Sequence, residues 1–213
     1  MVVTITRSAA EAATRSGRKA KGDGHLRREE IVAAAERIFV ECGYEGATIR
    51  RIADEVGVSS TALYMHFRDK AEILSEICER AFSVLLAEDL ELTARPMDPV
   101  ARVRAMMEAY MAFAIAHPHA YQLVYSTPPA ATRDDEVTRR LGLQIYDLFR
   151  GAVAEAVGAG RLCGDDPDAC AQVAWGAAHG IVSLMLAHPG FAWSEAERLR
   201  KAALDTLFHG MTR

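Results

Sequence analysis

The 213-residue sequence has only four cysteines, Cys42, Cys78, Cys163 and Cys170, and none forms a Cys-x-x-Cys pair. Short dithiol and zinc-ribbon spacings are therefore absent. Buried thiols in a reducing compartment are the simple reading, with a redox pair of Cys163 and Cys170 as the alternative. No apolar run approaches the ~20 residues that cross a bilayer, and Arg7 interrupts the few apolar residues at the start before a signal core develops. These features predict no membrane partner and a cytoplasmic location. Alternating runs rich in valine, isoleucine and threonine are missing, as are Asn-Gly or Asp-Gly turns between strand candidates, so no sheet is expected. A nucleophile motif, a phosphate-binding glycine loop and a metal-ligand spacing are lacking too, and Pro118 between His117 and His119 disrupts any i, i+4 metal geometry. The expectation is a protein that is not an enzyme and has no cofactor and no metal.

What the chain does have is hydrophobic residues at half its positions, enough for a real core, and an uneven charge. Up to Lys70 there are 12 Lys/Arg against 10 Asp/Glu, whereas Ala71 onward carries 13 against 19. Only the first part suits a polyanion. Residues 1–26 carry Arg7, Arg15, Arg18, Lys19 and Lys21 beside Gly17, Gly22 and Gly24, and read as a flexible basic arm, either idle or adding phosphate or minor-groove contacts.

From Arg27 the apolar residues Ile31, Ala34, Ala35, Ile38 and Phe39 fall on one helical face until Gly43. Thr48 opens a short helix with Ile49, Ile52, Ala53 and Val56 inward. Gly57 closes it, and Ser59 caps a third helix, Ser60 to Met65. Three helices with a tight glycine turn between the second and third form a helix-turn-helix pattern. Asp69 with Glu72 starts a long helix through Ile73, Leu74, Ile77, Ala81, Val84 and Leu85 to about Leu92. Further starts at Asp98-Pro99, Asp166-Pro167 and Ser194 with Glu197 mark helices over 98–116, 119–126, 133–158, 167–187 and 195–210. The predicted fold is all-α, with about nine helices: a DNA-binding domain over residues 27–70 and a helical ligand-binding and dimerisation domain over 71–213.

If the third helix enters a major groove, its leading residues Ser60, Thr61 and Ala62 meet base edges, but they are small and their readout is modest. Arg50, outward on the second helix, is the long bidentate donor placed to supplement them at a guanine. The alternative for Arg50 and Arg51 is a solvated face or phosphate contacts. Thr48, Tyr64, His66 and Lys70 suit phosphate clamping, against packing roles for Tyr64 and His66 and a solvated charge for Lys70. Few base contacts per module imply two half-sites, hence a homodimer on a palindromic operator in double-stranded DNA.

The run Gly43-Tyr44, Thr48, Ile52-Ala53, Val56-Gly57-Val58-Ser59, Leu63-Tyr64-Met65-His66-Phe67 and Lys70 closely resembles the N-terminal domain of the TetR family of transcriptional regulators. The resemblance implies base reading at Arg50 and phosphate contacts at Thr48, Tyr64, His66 and Lys70. It also implies a small-molecule effector, repression as the commoner mode, and dimerisation through the last two long helices as a four-helix bundle.

In the body, Met106, Tyr110 and Phe113 form an apolar stripe, followed by Tyr121, Tyr125 and Tyr146. They are candidate walls of a cavity for an apolar or aromatic effector, or ordinary core. Trp175 and His179 share one face of a later helix. A second, smooth strip carries Gly176 and Gly180, extended by Ser183 or Ala187, where two backbones can approach closely. The pattern Trp175-x-x-x-His179-Gly180 is similar to one TetR subgroup. A structural role for His179 stands beside the ligand reading.

Overall fold

The computed structural model describes residues 23–126, 136–162 and 164–212. Most of the expected basic arm lies outside the described residues, as does Cys163 and with it the alternative of a redox pair with Cys170. The last residues of that arm are helical. Helix α1 runs Asp23–Gly46, beginning before Arg27 because its first turns are anchored. Arg27 pairs with Glu30 at 2.6 Å, and Glu29 takes two hydrogen bonds of 2.9 Å from Arg80. Gly43 breaks the helix at φ 73°.

Helix α2 (Ile49–Val56) starts at Thr48, whose Oγ1 accepts from the Arg51 amide at 3.2 Å. It ends at Gly57, with φ 73° and ψ 34°. Helix α3 (Ser60–Tyr64) is capped by Ser59, which accepts from the Ala62 amide at 3.1 Å. A Cβ at Gly57 would meet nothing within 4 Å, so a side chain there is opposed by the backbone alone. Gly57→Val is expected to cost about 1–2 kcal/mol and to lower the melting temperature by a few degrees. A melt equal to that of the wild type would contradict the left-handed turn.

Asp69 accepts from the Glu72 amide at 2.9 Å to open α4 (Lys70–Ala94), and the Glu72 carboxylate reaches back to the Arg68 amide at 2.7 Å. Then follow α5 (Pro99–Ala116), α6 (Pro118–Ser126), α7 (Glu136–Gly158), α8 (Pro167–Ala187) and α9 (Ala196–Met211). Asp98 and Asp166 cap α5 and α8 ahead of a first-turn proline. Helix α9 is capped by Glu195, not by the expected Ser194. The described residues contain nine helices and no strand, only one isolated bridge between Leu162 and Thr212. The chain is all-α.

Two hydrophobic clusters organise these helices. The first joins Ile31, Phe39, Ile52, Leu63 and Phe67 to Ile73, Leu74 and Ile77 of α4 and to Ala120 and Leu123 of α6. The second gathers Val103, Met106, Met111, Val153, Val182 and Leu204, together with Leu85 and Leu92 of α4. The N-terminal core thus runs past the expected boundary at Lys70, because α1, α2 and α3 leave one side of it open and the first half of α4 completes it. Val84, placed inward by its spacing, is exposed. Leu63 is the fully buried side chain of α3, and its burial contributes roughly 2 kcal/mol to holding that helix in place.

Helix α8 is the most apolar long helix among the described residues, although Asp168, Gln172, His179 and Ser183 interrupt its apolar residues. By length and composition it is apolar enough to cross a membrane, with mean hydropathy 1.4. One face, Ala171, Ala174, Ala178 and Val182, enters the body core. Val173 and Leu184 remain exposed.

Candidate DNA-reading face and effector cavity

The surface of α2 and α3 collects most of the residues expected to meet DNA. Thr48, Thr61 and Tyr64 are exposed, and Ser60, Ala62 and His66 are half-buried. Arg50 is the free long donor among them. Its side chain is 87% exposed and its Nε lies 3.9 Å from Asp54, a loose pair that costs little to break. Arg51 instead donates to Glu41 at 3.0 Å. Tyr64 is 54% exposed, so much of its ring and hydroxyl edge is accessible from outside. Phe67 is buried behind this surface, with the Arg28 guanidinium stacked 3.9 Å above its ring.

Lys70 is placed differently from a phosphate clamp. Its Nζ donates to the Tyr44 carbonyl at 2.8 Å and the Ala47 carbonyl at 3.4 Å, and sits 4.2 Å above the Tyr44 ring. The ammonium closes the α1–α2 connection, adding to the Ala47 amide that the Tyr44 carbonyl already accepts from, at 3.3 Å, where α1 ends. Nothing in residue spacing reveals this, because Tyr44 and Lys70 are 26 positions apart.

Between α4, α5, α6, α7 and α8 lies a cavity of about 1040 Å³. Met106, Tyr110, Tyr125, Tyr146 and Trp175 line it, as expected. Phe113, Tyr121 and His179 do not appear in its lining. Phe113 packs between the two hydrophobic clusters and against the His117 ring. Tyr121 and His179 form a polar knot with Tyr110 and Ser183. The Tyr121 hydroxyl lies 2.6 Å and the Tyr110 hydroxyl 2.9 Å from His179 Nδ1, and Ser183 Oγ lies 3.2 Å from Nε2. Burial lowers the His179 pKa and raises those of Tyr110 and Tyr121, which favours a neutral imidazole beside protonated phenols. The assignment that satisfies these atoms has Tyr121 donating to Nδ1 and Nε2–H donating to Ser183.

Several cavity residues were not anticipated, among them Phe82, Leu85 and Asp89 of α4 and Arg139 of α7. Asp89 carries the sharpest signal. It falls four residues after Leu85 and three before Leu92, a charged residue on an apolar stripe. It is only 3% exposed, its Oδ1 has no hydrogen-bond partner, and burial pushes its carboxyl up to about 7.

The expected dimer strip is partly reordered. Gly176 and Gly180 each have open space where a Cβ would stand, and Ala187 is exposed. With Val173 and Leu184 they trace one outward stripe along α8. Ser183 turns inward to the His179–Tyr121 knot, so it does not extend that stripe; Leu184 does. Gly176 also borders the cavity.

An all-α chain with a helix-turn-helix head and an apolar cavity in a helical body is the architecture of a one-component regulator. The description "Bacterial regulatory proteins, tetR family" matches residues 31–77, and "Tetracyclin repressor-like, C-terminal domain" matches residues 103–208. The chain belongs to the TetR family. It is 29% identical over 128 residues to the HTH-type transcriptional activator FasR of Mycolicibacterium smegmatis, covering 58% of each chain. It is 32% identical over 104 residues to the HTH-type transcriptional repressor KstR2 of Mycobacterium tuberculosis, covering 49% of this chain and 52% of that one. The matched stretches therefore span about half the length of these curated relatives. The solved structure of the ketosteroid transcriptional regulator KstR2 of Mycobacterium tuberculosis superposes with a TM-score of 0.73 at 22% identity, over 88% of this chain and 95% of that one. At that identity the likeness concerns the fold.

Proposed function

We propose that the protein is a cytoplasmic, homodimeric transcriptional regulator, in its main mode a repressor released from a palindromic operator when a small apolar or aromatic effector fills the cavity. The observation that carries this reading is that two helices serve both parts of the molecule. Helix α4 gives Ile73, Leu74 and Ile77 to the core beneath the reading head and Leu85 and Asp89 to the cavity wall. Helix α6 gives Ala120 and Leu123 to the same core and Tyr125 to the cavity. A ligand that prefers one setting of these helices changes the separation of the two heads, provided its affinity differs between the two states. Equal effector affinity for the free and operator-bound dimer would refute the mechanism.

Repressors and an activator both occur among the relatives, and the sign of regulation depends on where the operator lies relative to the promoter. A regulator without an effector is the second reading; the open cavity weighs against it. The functional residues we assign are Thr48, Arg50, Ser60, Thr61, Ala62, Tyr64 and His66 at DNA, with Met106, Tyr110, Tyr125, Tyr146 and Trp175 at the effector. The relatives named above are transcriptional regulators rather than enzymes, in keeping with a body that lacks a nucleophile motif.

The primary test is a salt-titrated binding assay comparing the protein's own promoter region with random DNA. No preference between them would overturn the proposal. In that assay Arg50→Ala is expected to weaken operator binding by about tenfold or more while leaving random-DNA binding nearly unchanged, the pattern of a lost base contact. An equal loss on both DNAs would place Arg50 on phosphate instead.

A further inference from the structure

A buried polar atom without a partner is costly, since it has given up water and received nothing in exchange. Asp89 is such a group, and it borders the cavity. Tyr146, in the same lining, also has a buried hydroxyl without a partner. The rest of the wall is dominated by rings: Phe82, Tyr110, Tyr125, Tyr146, Phe149 and Trp175. Ring faces carry negative potential and attract cations, most strongly where water is excluded.

We propose that the effector is a lipophilic organic cation, an apolar or aromatic body bearing a protonated amine whose N–H donates to Asp89 and whose charge faces the surrounding rings. This rests on the reading of the cavity as an effector site and names the chemistry of that site.

The other charged groups nearby agree with this assignment. Glu88, adjacent on α4, adds negative potential at Asp89. Arg139, the cation among the described lining residues, is 64% exposed and donates to Glu136 at 3.0 Å, so its charge lies paired and solvated. Among the described residues, the remaining titratable wall groups are the tyrosines. Burial raises the pKa of Tyr110, and that of Tyr125 to about 12, so both are neutral near pH 7. Burial, with the charge of Glu88 beside it, holds the Asp89 carboxyl at about 7; an arriving ammonium restores the ionised form. A carboxylate ligand would do the opposite, opposing ionisation of Asp89 and gaining no charge pair.

The test uses the full-length protein and three fluorescent probes with one ring system: pyrenemethylamine, pyrenemethanol and pyrenecarboxylate, followed by anisotropy and, in a Trp193→Phe background that leaves Trp175 as the sole tryptophan, by quenching of its emission. The amine is expected to bind about tenfold or more tighter than the alcohol, with the carboxylate weakest, because only the amine can complete a buried charge pair. Asp89→Asn, which keeps the side-chain shape, should erase the amine's advantage and leave the alcohol unaffected. If the alcohol or carboxylate binds as tightly as the amine, or if Asp89→Asn keeps the amine's advantage, the cation assignment is overturned while the cavity remains an effector site. If no probe binds the wild type, the cavity reading itself fails and the inference with it. The wild-type comparison needs no variant, so it stands even if Asp89→Asn folds poorly.

Discussion

Leu184→Glu is expected to give a folded monomer whose operator affinity is reduced by about a hundredfold or more, because each head then binds without the effective concentration supplied by its partner. Leu184 is half exposed, at 51%, on the α8 stripe with Val173, Gly176 and Gly180. A carboxylate there has water around it in the single chain but would be buried between two copies of α8 in a two-fold contact. Light scattering for mass, circular dichroism for fold and the operator assay together decide the outcome. A variant that remains dimeric with undiminished operator affinity would exclude this face as the dimer contact. The smooth ridge at Gly176 and Gly180 makes the contact physically plausible, since backbones can approach where no Cβ intervenes.

Asp89→Asn is the second large effect, and its sign is informative. Burial raises the Asp89 carboxyl from 3.8 to about 7 in the folded protein, so folding retains a proton that the unfolded chain releases between those values. Its favourable contribution is complete below pH 3.8 and is lost as pH rises through about 7. The neutral amide escapes that loss. Above pH 7 the variant should therefore be more stable than the wild type by an amount on the order of 3 kcal/mol, a rise of roughly 5–10 °C in melting temperature. The gain should shrink as pH is lowered toward 5. Melts of both proteins across this range provide the check, and a pH-independent difference would show that Asp89 is not held in its neutral form. A residue that lowers stability near neutrality yet sits in a ligand cavity fits the trade between stability and function.

How legible these features were from residues alone depends on the range of the interaction behind each. Helix starts were legible, since Thr48, Ser59, Asp69, Asp98 and Asp166 cap amides two or three residues away. The left-handed turn at Gly57 was legible for the same reason. Where two neighbouring residues compete for a cap the reading slipped by one position, from Ser194 to Glu195. The inward face of α1 was correct at Ile31, Ala34, Ala35, Ile38 and Phe39, all buried. Val84 was misplaced because Phe82, Val84, Leu85 and Leu86 crowd one turn of α4, where periodicity leaves more than one face available.

Side chains with long-range partners were not legible. Lys70 looks like a solvated or phosphate-binding charge until the carbonyls of Tyr44 and Ala47 arrive beneath it. Ser183 belongs to a small-residue strip by spacing, but the hydroxyl of Tyr121, 62 positions away, draws it inward. Tyr121 and His179 belong to the aromatic body as expected, yet they hydrogen-bond to each other instead of lining the cavity.

The sequence by itself determined that the reading head is a helix-turn-helix, since its caps, its glycine turn and its apolar spacing are all satisfied within a few residues along the chain. It also determined that the body is helical and that Arg50 lies on the outward side of α2. Only the tertiary structure decided that α4 and α6 serve both the head and the cavity, that Lys70 is spent on carbonyls, and that Asp89 stands unpartnered on an aromatic wall. The physical reason is that caps and turns depend on backbone geometry over one helical turn, whereas desolvation and the pairing of charges depend on which distant helices fold down over a side chain.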